Sequence, residues 1–350
     1  MSASESAVVK PSYAWLTVNR NCNFRCEWCY AQGAYFDKGQ EMTLKKAVEL
    51  TDMLLAVGIT HLFVTGGEPT LWSPLLKFNS HCHDIGLDNT IVTNAMHFGK
   101  DEFWERYIES PNTYVGVSLK AGNPKQLYET VKIRRFDLVT KGVRRAMDHF
   151  KSGVGIVYNS HLADNLVDIC RFSVEECHAH SIKIDFCSPV FVENQPLAQC
   201  VMEPYQLVSG IIRDYPEIVK LTTELSFIMS IPFCFWPKSF IEELEAEDRI
   251  ESVCHMVKRE GIVVTSDGSL CMCNELFDYS IGRYGVDFTD AETLIDLLNE
   301  PVVNGYYDQM SRYPSNRCQE CSWYNKCGGG CPLLWSVFDP EQYVQPVEGR

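Results

Sequence analysis

Six short apolar runs alternate with helical segments between residues 12 and 190, and this alternation limits the fold more than any other feature. The runs are rich in β-branched and aromatic residues. Several are apolar on both alternating faces, as in a parallel sheet covered by helices. They lie at residues 12–18, 61–67, 89–95, 114–119, 153–159 and 181–190. Six β/α units in sequence predict an α/β fold whose parallel sheet curls into a partial, TIM-like barrel.

The remainder of the chain changes character after residue 200. Residues 201–253 are predicted to form a mainly helical linker, which separates a core over 12–200 from a small C-terminal domain over 254–335. In that domain the segment GIVVTSDGSLCMC predicts a β-hairpin around the turn SDGS. Residues 1–11 and 336–350 are predicted to be terminal tails.

Composition argues against two classes of partner. The formal net charge of −15 over 350 residues disfavours binding to a nucleic-acid backbone, which requires a basic surface. The chain has no apolar stretch long enough for a transmembrane helix, and its N-terminus MSASESAVVK lacks the apolar core of a signal peptide. We therefore expect a cytoplasmic protein that binds neither nucleic acid nor membrane.

The sixteen cysteines point to bound metal, because a long chain without a signal peptide is a poor candidate for a disulfide framework. Cys22, Cys26 and Cys29 follow the first strand with the spacing C-x₃-C-x₂-C. Three thiolates in one loop can bind three irons of a cubane cluster and leave the fourth iron open. Zinc is the alternative, although zinc motifs usually pair two cysteines with two ligands elsewhere.

A second motif, TGGEP at residues 65–69, ends the second predicted strand. Its two glycines would let the backbone approach a ligand closely, and Glu68 can accept hydrogen bonds from an ammonium group. The alternative interpretation is an ordinary strand-to-helix turn.

Together, the two motifs resemble those of the radical S-adenosylmethionine (SAM) superfamily. The signature residues here are Cys22, Cys26, Trp28, Cys29, Gly66, Gly67, Glu68 and Pro69. The resemblance implies a 4Fe–4S cluster whose open iron is chelated by SAM. One electron then cleaves SAM to methionine and a 5′-deoxyadenosyl radical, which abstracts a substrate hydrogen.

Further SAM contacts are implied by strand-end position in this resemblance, at Asn94, Ser118, Lys120 and Asn159. Many relatives have Ser-Leu-Asp-Gly after the fourth strand, whereas this chain has SLKAG, so Lys120 departs from the pattern. The alternative for all four side chains is polar capping of a strand end.

Cys318, Cys321, Cys327 and Cys331 have the spacing C-x₂-C-x₅-C-x₃-C, and Cys254 and Cys273 precede them. This pattern resembles the SPASM extension of radical SAM enzymes, which binds auxiliary iron–sulfur clusters. The resemblance implies one or two auxiliary 4Fe–4S clusters and two ligand sets. The first set is Cys254, Cys273 and Cys331, and the second is Cys318, Cys321 and Cys327. Cys271 would share a strand face with Cys273 in an extended segment and would then complete the first set.

The function predicted is that of a radical SAM oxidoreductase or maturase that modifies a peptide by cross-linking, epimerisation or side-chain oxidation. One alternative is a dehydrogenase or epimerase of an amino-sugar or other small metabolite. An alternative of another class is a non-catalytic iron–sulfur electron carrier. Expected partners are an external one-electron reductant of the flavodoxin or ferredoxin type and a separate leader-peptide-binding protein.

Candidate catalytic residues depend on the fate of the substrate radical. Epimerisation needs a thiol that returns a hydrogen atom, and Cys187 after the sixth strand or Cys234 in PFCFW are the candidates. Oxidation needs a base, for which Glu275 and Asp278 are candidates. Lone cysteines are more often small buried apolar residues.

Overall fold

A computed structural model describes residue 9 and residues 11–31 and 40–344. The strands are β1 Tyr13–Thr17, β2 His61–Thr65, β3 Asp88–Thr93, β4 Tyr114–Ser118, β5 Ser152–Tyr158, β6 Ser181–Phe186, β7 Val190–Val192, β8 Gln195–Leu197, β9 Glu224–Ile228, β10 Ile250–Ser252, β11 Gly261–Val264, β12 Ser269–Cys271 and β13 Ser280–Arg283. The helices are α1 Leu44–Val57, α2 Leu75–Asp84, α3 Asp101–Tyr107, α4 Pro124–Val131, α5 Phe136–His149, α6 Leu166–Arg171, α7 Pro204–Ile218, α8 Lys238–Ala246, α9 His255–Lys258, α10 Ala291–Leu298, α11 Pro301–Met310, α12 Tyr324–Cys327 and α13 Pro340–Tyr343.

One sheet of eleven strands organises the described residues, in the order β10-β9-β6-β5-β4-β3-β2-β1-β11-β12-β13. All neighbours from β10 to β11 are parallel, and β12 and β13 are antiparallel. The sheet ends at β10 and β13, so the barrel is partial. The predicted α/β fold with a partial barrel and a C-terminal hairpin is confirmed.

The two faces of the sheet have different environments. Side chains on one face, such as Leu16, Leu62 and Ile184, are fully buried under the helices. Alternate residues on the other face, such as Phe63 and Asp185, are half-buried and line open cavities. The two-residue period of a strand therefore provides a dry outer layer and an accessible inner face.

The segment over residues 201–253 differs from the predicted helical linker. It contains α7 and α8, but also β9 and β10, which add two parallel strands beyond β6. In residues 224–228, ELSFI, every second side chain is buried and the side chains between them are more exposed. This two-residue repeat is typical of a β-strand. The predicted hairpin is also placed differently, because β11 pairs with β1 and so extends the core sheet.

Helix α1 shows how local sequence fixes the elements around the inner face. Thr43 caps its N-terminus by accepting a hydrogen bond from the backbone N–H of Lys46, and Gly58 ends it at a φ of 106°. In the described part of the chain, no helix is both long and apolar enough to cross a membrane.

Candidate active site

A cavity of about 1270 Å³ lies at the C-terminal ends of strands β2 to β6. Most of the residues predicted to bind the cluster and SAM line it: Cys22, Cys26, Trp28, Cys29, Gly66, Gly67, Glu68, Asn94, Ser118 and Lys120. Two of the predicted catalytic residues, Cys187 and Glu275, line it as well.

The cysteine loop places three partly buried thiols on one wall of this cavity. The backbone N–H of Phe24 donates to Sγ of Cys22 at 3.3 Å, and the loop tightens where the N–H of Cys29 donates to the carbonyl of Cys26. Burial raises the pKa of Cys22 to about 12 and that of Cys26 to about 11. Thiolates at such positions form when a metal displaces the proton.

Gly66 and Gly67 are required by packing between two loops. A Cβ at Gly66 would overlap the side chain of Asn19, and a Cβ at Gly67 would overlap the backbone carbonyl oxygens of Arg20 and Asn21. The glycines therefore let the loop after β2 lie directly against the start of the cysteine loop. This gives them a structural role that the sequence interpretation did not include.

Glu68 connects the loop after β2 to the end of β3. Its Oε1 accepts hydrogen bonds from the backbone and hydroxyl of Thr70 and from the hydroxyl of Thr93, while Oε2 accepts one from the backbone of Asn94 at 2.8 Å. Burial raises the pKa of Glu68, and these donors oppose that shift. Oε2 retains capacity for a further donor, such as an ammonium group.

Lys120 introduces a positive charge beside the cysteine loop. Its Nζ donates to Oγ of Ser118 at 2.6 Å and lies 5.6 Å from the ring centroid of Trp28. The ammonium group lowers the pKa of Cys26 and Cys29, against the larger effect of their burial. The residue that departs from the relatives' pattern therefore stabilises negative charge on the loop.

Two buried polar atoms in the cavity wall lack a hydrogen-bond partner within the described residues, Nε1 of Trp28 and Oδ1 of Asn274. Buried polar groups are normally paired, so these atoms fit a ligand that occupies the cavity. Three thiols, a carboxylate with spare capacity and two unpaired polar atoms are a suitable environment for an iron–sulfur cluster and SAM.

Asn159 and Pro69 are placed differently from the other predicted SAM contacts. The amide of Asn159 bonds the backbone of Val157 and His161, and thus caps the end of β5. Pro69 is buried and begins a short 3₁₀ turn after Glu68. Neither is among the described residues that line the cavity.

Cys254, Cys273 and Cys331, the first predicted auxiliary set, lie near one another. Cys254 and Cys331 both raise the pKa of Cys273, after its burial and the charge of Glu275. The Cys273 thiol donates to Oε2 of Glu275 at 2.7 Å. Glu275 also lines the large cavity, so this hydrogen bond connects the Cys273 thiol to the wall of that cavity.

Cys271 does not take the position expected for it. Strand β12 ends at Cys271 and Met272 forms a bend, so the two-residue alternation between Cys271 and Cys273 is broken. The Cys271 thiol donates to the carbonyl of Phe277, within a fully buried environment. Its position therefore argues against the prediction that it completes the first set.

Cys234 is also placed away from its predicted role. It lines a separate cavity of about 360 Å³ together with the second predicted auxiliary set, Cys318, Cys321 and Cys327. The large cavity beside the cysteine loop is instead bordered by Cys187, whose pKa is raised chiefly by burial. Because the Cys187 thiol stays protonated, it keeps the hydrogen atom that the predicted epimerisation would return to a substrate radical.

Within the described ranges 9, 11–31 and 40–344, no set of three or more His, Cys, Asp or Glu side chains is arranged to hold a single metal ion. The thiols of a cubane each bind a different iron, so they need not converge on one point.

Asp185 is a functional candidate that the sequence interpretation missed. It lies near the end of β6, lines the cavity and accepts a hydrogen bond from the backbone of Phe186. Burial, followed by the charge of Glu275, raises its pKa to about 7. The available signal was an acidic residue in an otherwise apolar strand end, on the same face as Ser181 and Lys183.

Comparison with known proteins identifies the family. The radical SAM superfamily matches residues 16–172. Fe-coproporphyrin III synthase of Methanosarcina barkeri is 31% identical over 346 residues, which cover 91% of this chain and 82% of that protein. The chain belongs to the radical SAM superfamily. SAM and an iron–sulfur cluster are therefore its cofactors, as predicted, while the number of auxiliary clusters stays a prediction.

Two further similarities extend beyond the core. A cysteine-type anaerobic sulfatase-maturating enzyme of Clostridium novyi is 22% identical over 354 residues, covering 94% of this chain and 88% of that protein. SuiB of Streptococcus suis, bound to precursor peptide SuiA, has a TM-score of 0.68 at 17% identity and covers 92% of this chain and 72% of that chain. This radical SAM enzyme is thus related to SPASM-type maturases in fold.

The relatives named GTP 3′,8-cyclase from Haemophilus influenzae are matched over a shorter region. One is 29% identical over 177 residues, 48% of this chain, and the match spans about half, 51%, of that protein.

Proposed function

We propose that this radical SAM enzyme abstracts a carbon-bound hydrogen from a peptide substrate and so matures that peptide. The observation that carries the proposal is a second cavity, of about 1710 Å³, along the inner face of the sheet. It shares Val92, Ser118, Val157 and Asp185 with the cavity beside the cysteine loop. The two cavities adjoin at these residues, an arrangement that suits an extended chain better than a compact metabolite.

Cys22, Cys26 and Cys29 would hold the core 4Fe–4S cluster, and Glu68 and Lys120 would bind the amino and carboxylate groups of SAM. Bound there, SAM supplies the 5′-deoxyadenosyl group that removes a hydrogen atom from the substrate. The hydrogen bond from Lys120 to Ser118 holds the lysine side chain on this wall. The buried aromatic ring of Trp28 lies on the same wall as the three thiols.

Two sets of residues in the cavity correspond to two fates of the substrate. Asp185 and Glu275 would accept a proton during an oxidation, with the first auxiliary thiol set next to Glu275. Cys187 would return a hydrogen atom during an epimerisation. The raised pKa of Asp185, near neutrality, supports the oxidative outcome.

The proposed partners follow from this chemistry. A flavodoxin or ferredoxin would supply electrons, and a separate leader-peptide-binding protein would present the substrate, in the cytoplasm.

A second candidate function is modification of an iron porphyrin or a related metabolite. It is favoured by the 31% identity to Fe-coproporphyrin III synthase over 82% of that protein. This candidate is a form of the small-metabolite alternative. It requires a ligand that fills the cavity beside the cysteine loop and does not extend into the second cavity.

Labelled substrates test the proposal. The reconstituted enzyme is given SAM, a reductant and a peptide deuterated at its Cα and Cβ positions, and 5′-deoxyadenosine is analysed by mass. Deuterium in 5′-deoxyadenosine would support peptide maturation. The second candidate would be favoured if 5′-deoxyadenosine gained deuterium from a labelled iron porphyrin and from none of the labelled peptides. Reaction in deuterated water then separates epimerisation, which incorporates deuterium, from oxidation, which loses two mass units.

A further inference from the structure

Four thiols, from Cys234, Cys318, Cys321 and Cys327, line one cavity of about 360 Å³. We propose that Cys234 is the fourth cysteine ligand of the second auxiliary iron–sulfur cluster, contributed by the core of the chain rather than by its C-terminal region. This inference rests on the part of the proposed function in which that cysteine set binds a cluster.

The segment before Cys234 is fixed directly against the C-terminal cysteines. The backbone N–H of Phe233 donates to Sγ of Cys327 at 3.3 Å. Ser230 lies three residues before Phe233. Its carbonyl accepts a hydrogen bond of 2.7 Å from the backbone N–H of Cys331. These contacts join residues that are about a hundred positions apart in sequence, so the shared cavity is a built feature of the fold.

Close packing supports the same conclusion. A Cβ at Gly330 would lie 2.6 Å from the carbonyl oxygen of Ser230 and 2.7 Å from Cδ of Pro232, so only glycine permits this approach. Cys234 then lies in the short turn Phe233–Phe235 between β9 and α8. This turn places the Cys234 side chain at the cavity that Cys318, Cys321 and Cys327 also line.

Cys318, Cys321 and Cys327 lie within ten residues of one another in the sequence and line the same cavity. A cluster of the Cys₄ type needs one further thiolate, and Cys234 lines the same cavity. Each thiol would lose its proton on binding iron.

Other isolated cysteines provide a contrast. Cys170 and Cys177 are fully buried in the main core, and Cys200 is 2% exposed. Cys234 instead faces a cavity that three predicted ligands share. Complete thiolate ligation would make the second cluster an electron relay. The first set would then be the one nearer the substrate, because its Cys273 contacts Glu275 in the wall of the large cavity.

Single substitutions in the full-length protein test the assignment. Cys234→Ala, Cys318→Ala and the control Cys200→Ala are reconstituted anaerobically, and iron, sulfide and the EPR spectrum of the reduced protein are measured. We expect Cys234→Ala and Cys318→Ala to lose the same EPR component and the same amount of iron, up to about four atoms per chain. Cys200→Ala should match the parent protein.

Two results would overturn the proposal. In one, Cys234→Ala keeps the iron content and spectrum of the parent while Cys318→Ala loses a cluster. In the other, Cys318→Ala also loses nothing, which would show that this set binds no cluster. SAM cleavage is recorded separately, because it reports on the core cluster and therefore on the proposed function rather than on Cys234.

Alkylation of the unaltered protein covers the case in which Cys234→Ala fails to fold. Iron-loaded and chelator-treated samples are exposed briefly to iodoacetamide under anaerobic conditions, and the modified cysteines are identified by mass spectrometry. Cys234 and Cys318 should both be protected until iron is removed. Equal modification of Cys234 with and without iron, alongside a protected Cys318, would contradict the assignment.

Discussion

The two cysteine-lined cavities of this enzyme differ in their surroundings more than in their thiols. The cavity beside Cys22 is about 1270 Å³ and is bordered by charged and amide side chains, including Glu68, Asn94, Lys120 and Asp185. The cavity beside Cys318 is smaller, and its cysteines are accompanied by two prolines, three aromatic residues and Arg317. Both cavities present sulfur, but the first has more charged and amide side chains that can bind a second ligand.

This difference agrees with the proposal that the first cavity is the site of reaction and the second holds a cluster for electron transfer. An open iron is useful where a substrate or cofactor can reach it, and a fully ligated cluster is useful where only electrons pass. The first auxiliary set lies between these extremes, because Glu275 connects Cys273 to the large cavity. The predictions below test that division.

Removing one thiol of the cysteine loop should have the largest effect. Cys26→Ala is expected to abolish formation of 5′-deoxyadenosine and to lower iron by about four atoms per chain, because the core cluster loses a ligand. Cys318→Ala should lower iron by a similar amount but retain measurable SAM cleavage. If Cys26→Ala still cleaved SAM, the large cavity would not be the reactive one.

Asp185→Asn should separate substrate oxidation from SAM cleavage. The pKa of Asp185 is raised to about 7, so its charged form increases as pH rises from 6 to 8, and oxidised product per turnover should rise over that window. The asparagine variant should lose about 100-fold of this product formation and its pH dependence, as expected when a general base is removed. Product and 5′-deoxyadenosine are measured together by mass spectrometry.

Stability provides the control for that variant. The carboxyl group binds its proton more tightly in the folded protein than at its ordinary pKa of 3.8, so its contribution to stability declines as pH rises towards 7. Asp185→Asn should therefore melt at a higher temperature than the parent at pH 8. A lower melting temperature would mean that lost activity reflects misfolding.

Gly67→Ala should have a moderate effect on stability. The new Cβ would overlap the backbone of Asn21, and relief of that overlap is expected to cost about 1–3 kcal/mol. The cysteine loop would shift as well, so iron loading of the core should fall.

Gly305→Ala is the matched control for this substitution, since its Cβ would meet no atom within 4 Å. It lies inside α11, where alanine should stabilise by about 0.5–1 kcal/mol. Thermal unfolding of both variants measures the difference. Equal destabilisation by the two substitutions would argue against the packing role of Gly67.

Cys271→Ala should have the smallest effect on the clusters. Its thiol bonds the carbonyl of Phe277 and lies in a strand that ends before Cys273. Iron, sulfide and the EPR spectrum should equal those of the parent, apart from a modest loss of stability. Loss of a cluster would restore Cys271 as a ligand and remove the difference between the two auxiliary sets.

Most residues of the predicted core site line one cavity, and their grouping was predictable because its signals are local. Three cysteines within one loop and a glycine-rich turn after a strand have fixed spacing, so they lie near each other whenever those strands are adjacent. The six parallel strands were predictable for the same reason, since each carries its own pattern of β-branched residues. For Asn159 the structure shows the capping alternative, because a polar residue at a strand end can bond its own backbone, and its contact with SAM stays a prediction.

What the sequence by itself determined is the parallel α/β core and the cysteine loop with its partner turn, both of which depend on neighbouring residues. Only the tertiary structure brought Cys234 to Cys327, placed Asp185 in the cavity and separated Cys271 from Cys273. Those relations join distant segments through strand pairing, backbone hydrogen bonds and close packing at glycine. Such contacts are set by how the whole sheet folds and leave no periodic pattern in the chain.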